Sequence, residues 1–158
     1  MKQKWSFLGF VVGLLVGSGF MVFLGMSKRP LSVVPAPVVE VAFSPLIERV
    51  NQERTQVGVL PLLGLRHLHE GAASRAAFLI ASDQWSHAGY EASLSATTWA
   101  VSGKLGENLA RGYQTEDAVV VAWLTSPLHA SVIFDAKFRY GGVGRVDTYW
   151  VLWLTENP

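Results

Sequence analysis

Between Pro45 and Gly58 the apolar residues Leu46, Ile47, Val50 and Val57 recur at helical spacing, the pattern of a helix with one buried face. Ser44 is a good N-cap and Pro45 a good first helical residue, while Gly58 supplies a stop. After the turn-rich run "VLPLLGL", a longer helix is expected from Leu65 to Asp83. Its face is marked by Leu65, Leu68, Ala72, Ala76, Leu79 and Ile80, and its alanines permit close packing. Residues 84–105 lose the periodicity and read as irregular, with Gly89, Gly103 and many Ser and Thr. Thr115, Glu116 and Asp117 then open a third helix through "AVVVAWLT". Ser126 and Pro127 repeat the cap-plus-proline signal for a short fourth one.

Near the end of the chain the period changes to two. "YGGVGRV", a turn at Asp147–Thr148, and "YWVLWLT" read as paired strands. In the last run Tyr149, Val151 and Trp153 fall on one face and Trp150, Leu152 and Leu154 on the other. A strand apolar on both faces is normally covered on both, so the expectation is a sheet between helical layers.

Residues 5–26, "WSFLGFVVGLLVGSGFMVFLGM", carry no charge. As a helix this stretch would reach about 33 Å, enough for a hydrocarbon core of about 30 Å. It therefore reads as a transmembrane anchor over residues 1–26, with a cleaved signal sequence as the alternative. Residues 27–43 contain three prolines among β-branched neighbours and read as an extended linker. The globular domain is expected over residues 44–158. Lys2, Lys4, Lys28 and Arg29 flank the apolar span, leaving nine basic residues against 11 acids from Val41 onward. That mildly acidic body excludes a basic nucleic-acid surface. The absence of cysteine excludes disulfides and thiol chemistry.

Candidate chemistry concentrates in His87 of "QWSHAGY", Glu107 of "GENLA" and His129 of "SPLHASVIF". They lie 20 and 22 residues apart, so only tertiary folding brings them together. Two imidazoles and a carboxylate suit a three-ligand zinc or other divalent metal site with one position open. They equally suit a base, an orienting acid and a polarising partner for hydrolysis. The plainer roles are a hydrogen-bonding histidine beyond a helix end for His87 and a turn carboxylate for Glu107. Asn108 reads as a loop-tying residue and Ser126 as a cap rather than a nucleophile. His67 and His69, two apart on one helix, point to different sides and are not expected to be ligands. His129, in the first turn of its helix, is expected to be neutral.

Taken in order, "NQER", "SHAGY", "GENLA", "AVVVAWLTSPLHASVI" and "FRYGGVGRV…YWVLW" resemble the bacterial branch of the CAP superfamily, whose members carry SCP domains. The resemblance runs from Leu46 to Thr155. It implies an α/β (α+β) fold, a three-layer α-β-α sandwich, here preceded by one transmembrane helix. It also implies an extracytoplasmic location and a cleft lined by His87, Glu107 and His129. Where relatives usually read SPGHR-x-N, this chain has Leu128 for the glycine and Ala130 for the arginine, which implies a narrower and greasier cleft rim. The second histidine that eukaryotic members carry near the last strand has no counterpart in "DTYW". Three function classes follow: a membrane-tethered module binding a cell-envelope, lipid or peptide ligand; a hydrolase using metal-bound or His-activated water; and a structural protein whose polar cluster only stabilises the fold.

Overall fold

The computed structural model describes residues 39–95 and 102–157. The apolar span 5–26 and most of the linker lie outside them. Among the described residues no helix is long and apolar enough to cross a membrane.

The fold is mixed α+β. Helix α1 spans Pro45–Gln56, β1 Leu63–Gly64, α2 Arg66–Ser82, α3 Tyr90–Ser95 and β2 Ser102–Arg111. Helices α4 (Glu116–Thr125) and α5 (Pro127–Ile133) follow, then β3 (Tyr140–Val146) and β4 (Tyr149–Asn157). The four strands form one sheet in the order β1-β3-β4-β2. Only the β1–β3 pair is parallel.

Local signals set the helix starts. The Ser44 hydroxyl accepts from Ile47 N at 3.4 Å, and the Thr115 hydroxyl from Ala118 N at 3.3 Å. Ser126 occupies the N-cap position of α5, but its side chain makes no cap hydrogen bond. Pro127, with its preset φ, begins that helix without one. On α1 the buried face is Leu46, Ile47, Val50 and Arg54. Val57, expected to be buried, lies past the helix end and is 59% exposed. Gly58, at φ +78°, turns the chain away there. Ile80 is likewise exposed, while Leu79 carries the end of the α2 stripe inward.

Helices cover both faces of the sheet. Leu152, Leu154 and Trp150 of β4 pack with α1, α4 and α5 through Leu46, Ile47, Val119, Trp123 and Ile133. The alternate residues Val151 and Trp153 pack with Leu68, Ala72, Ala76 and Leu79 of α2. Helix α2 lies so close to β3 that a Cβ on Gly144 would come within 2.0 Å of Ala73 N. That approach is why the strand reads "GGVG" and the facing helix is rich in alanine.

Two further sequence expectations are corrected. Residues 84–105 are not wholly irregular: they hold α3 and the start of β2. "GENLA" is not a turn but the middle of a strand. Within the linker, Val41 bridges Leu65, and Glu40 pairs with Arg66 at 2.7 Å.

Candidate cleft at the edge strand

Strand β2 is one edge of the sheet, and the candidate residues gather around it. Glu107 sits opposite Trp153 of β4, with its side chain fully buried on the α2 side. A carboxylate in that position needs donors, and three are present. Arg75 Nε donates to Oε2 at 3.2 Å, Trp153 Nε1 donates to Oε2 at 2.9 Å, and His87 Nδ1 meets Oε1 at 3.0 Å. Because the carboxylate only accepts, His87 carries its proton on Nδ1 and keeps Nε2 as an acceptor when neutral. The His87 side chain is 53% exposed. A buried, charge-compensated acid thus orients an imidazole at the surface.

Arg75 does more than neutralise. Its Nη2 donates to the carbonyls of Ser86 at 2.8 Å and Ala88 at 3.1 Å, on either side of His87. One buried guanidinium therefore holds both the loop that carries the imidazole and the acid that orients it.

His129 approaches from the other face of the sheet, on α5. Its ring centre lies 6.5 Å from that of His87, tilted by 51°. Burial, and secondarily the His87 ring, hold His129 below the usual imidazole pKa, so the neutral form is favoured. The fully buried Asn108 donates from Nδ2 to the His129 carbonyl at 3.0 Å, tying β2 to α5. Between the two faces lies a cleft of about 570 Å³, lined by His87, Glu107 and His129 together with Tyr90, Leu128 and Val132 among others. Burial, then Glu91 and Glu107, raise the Tyr90 phenol above its usual value. Leu128 is 80% exposed at the rim.

The three sequence candidates share this cleft, but not as a common ligand set. Both Glu107 oxygens already accept protein hydrogen bonds. Two imidazoles on one tetrahedral ion, each bound at about 2.1 Å, would hold their ring centres about 5 Å apart, closer than is found here. Among the described residues no group of three or more His, Cys, Asp or Glu is placed to hold a metal ion. As arranged, the residues do not fit a shared metal, and no step below passes through one.

The family model for CAP, the cysteine-rich secretory protein family, matches residues 47–152. The chain belongs to the CAP family. Solved structures agree with this fold. An extracellular SCP-domain protein of Bacillus anthracis superposes with a TM-score of 0.68 at 18% identity, over 71% of this chain and 39% of its own length. A cysteine-rich secretory protein of Staphylococcus aureus gives 0.65 at 18% identity, over 71% of this chain and 37% of its own. An outer surface protein of Borrelia burgdorferi also gives 0.65 at 18% identity, over 77% of this chain and 100% of its own. The chain thus spans well under half the length of the first two. No curated protein matches it.

Within this CAP domain, Arg75 and Trp153 are the site residues that sequence reasoning missed. A signal for Arg75 was present. It lies three residues after Ala72 and four before Leu79, inside the apolar stripe of α2, where a charge demands a partner. Tyr90 belonged to the quoted "SHAGY", but nothing in that spacing showed that it would turn into the cleft.

Proposed function

We propose that this CAP domain is a binding module, held outside the cytoplasmic membrane by a helix over residues 5–26, whose cleft takes a cell-envelope, lipid or peptide ligand. The observation that carries the reading is the half-exposed His87, oriented by a buried carboxylate beside an open cleft. Ligand sites typically join an apolar lining to a few fixed polar groups, and Leu105, Val132 and Leu128 provide the apolar part. The uncharged span and the extracellular and outer-surface descriptions of the B. anthracis and B. burgdorferi proteins support the location. Protease added to intact cells should therefore cut the domain; protection would overturn the orientation.

Binding is tested on the full chain in lipid nanodiscs. The ring signals of His87 and His129 would be followed by NMR on adding solubilised cell-wall fragments, phospholipid micelles or a mixture of blocked hexapeptides. At least one probe is expected to shift both rings, and Leu128→Arg to weaken the response with little change in stability. Silence toward all three rejects the binding reading. A divalent metal such as zinc enters only if His87 and His129 swing together, which calorimetric titration of the full chain with Zn²⁺ examines directly.

A second reading, hydrolysis, is favoured by one specific feature: His87 Nδ1 is bound to an acid while the other ring nitrogen stays available as a base. Glu107→Gln separates these readings. A hydrolase loses turnover in that variant, whereas a module using the apolar wall keeps most of its affinity.

A further inference from the structure

We infer that the cleft ligand is an extended peptide, which pairs through its main chain with the free edge of β2 at Glu107. The inference rests on the binding reading above and narrows its ligand class. The turn between β3 and β4 has two residues, Asp147 and Thr148, with Val146 opposite Tyr149. In such a hairpin the residues flanking the turn exchange hydrogen bonds. Along β4, Tyr149, Val151 and Trp153 therefore bond toward β3, and Trp150, Leu152 and Leu154 toward β2. Their β2 partners are Ala110, Asn108 and Gly106. Gly112 N donating to Thr148 O at 3.0 Å keeps the same phase. The main-chain groups of Glu107 and Leu109 consequently point away from the sheet.

Several such groups elsewhere in the sheet are covered. At the opposite edge, the outward carbonyl of Gly64 accepts from Ala42 N at 2.9 Å. Beyond the end of β1, His69 Nδ1 lies 2.9 Å from Val143 N and 3.0 Å from Val143 O. On β2 the carbonyl of Leu109 accepts from Trp123 Nε1 at 3.1 Å. Glu107 N–H and C=O have no such partner among the described residues. Glu107 retains 6% exposure although its side chain has none, so what it shows to the cleft is its main chain.

One outward N–H and one outward C=O on the same residue match the acceptor and donor of a single peptide residue, which exchanges two hydrogen bonds with it. Such a strand would run between the His87 and Tyr90 wall and the Leu128 and Val132 wall, with its side chains alternating toward each. The one acid at the floor is already paired with Arg75. That suits a neutral main chain rather than a charged headgroup.

The test uses the ¹⁵N-labelled full chain in nanodiscs, with acetyl- and amide-blocked hexapeptides of mixed sequence as the probe. In the free protein the Glu107 amide should exchange rapidly with solvent. On addition of peptides its exchange should slow about tenfold or more, and the same mixture N-methylated along its backbone should have no such effect. A Glu107 amide already protected in the free protein overturns the inference. So does protection that grows with protein concentration alone, which would place a second copy on the edge. Shifts at His87 and His129 without Glu107 protection, or a response only to micelles or cell-wall fragments, overturn the inference while leaving the binding reading intact. No response to any probe removes both.

Discussion

Among the described residues two arginines are buried, one in each main helical layer, and they do different work. Arg54 of α1 donates to main-chain carbonyls: Leu60 at 2.9 Å, Phe138 at 2.9 Å, Asp135 at 3.2 Å, and Ile133. Those carbonyls belong to the turn after α1 and to the chain leaving α5, where the helix end favours a cation. Arg75 of α2 holds two carbonyls as well, but its third acceptor is the carboxylate of Glu107. The first arrangement closes the backbone around a cation. The second has an acid left over to act on something else, and that acid aims His87. A buried guanidinium alone therefore signals neither structure nor function; the nature of its acceptors does.

The comparison is sharpest where it is broken. Arg54→Ala should have the largest effect, on the order of 3–5 kcal/mol or outright failure to fold, because several buried carbonyls lose a charged donor at once. Thermal melts of the full chain check this, and no single second substitution should rescue it. Arg75→Met should cost about 3 kcal/mol by leaving Glu107 buried without its cation. Here rescue is expected: in Arg75→Met with Glu107→Leu, a large part of that loss should return. A double variant whose loss is the plain sum of the two would show that the pair is not coupled.

The smallest effect concerns protons. His129 should titrate below the ordinary imidazole value by NMR. His87→Ala should raise its pKa part of the way back, because burial, the larger cause, remains. The folded state then binds protons at His129 less readily than the unfolded chain. The stability tied to this ring is complete above the unfolded pKa of about 6.5 and is lost as pH falls toward the lower folded value. A rise in the stability of the native protein as pH drops through that window would contradict the sign, although His67, lowered mainly by burial, contributes in the same direction.

Much of the architecture could be read directly. Ser44 with Pro45, and Thr115 with its acids, mark helix starts because capping acts on the nearest backbone groups. The doubly apolar "YWVLWLT" announced a covered strand because alternation is a local property of the pleat. Strand β2 was not legible. "SGKLGENLAR" holds two glycines, an acid and an amide, all poor strand formers, and its order comes from pairing with β4. Glu107 is satisfied from Arg75, His87 and Trp153, and Asn108 Nδ2 finds its acceptor on α5. No window of the sequence contains those partners.

By itself the sequence determined helices α1, α2, α4 and α5, the final hairpin, the uncharged N-terminal span and the identity of the polar residues worth watching, since each depends on neighbours within a few positions. Tertiary structure alone decided that β2 lies at an edge, that two imidazoles reach around it from opposite faces, and that Arg75 sits beneath them. Those facts follow from strand order and from which buried charges must find partners, and both are settled only when distant segments pack.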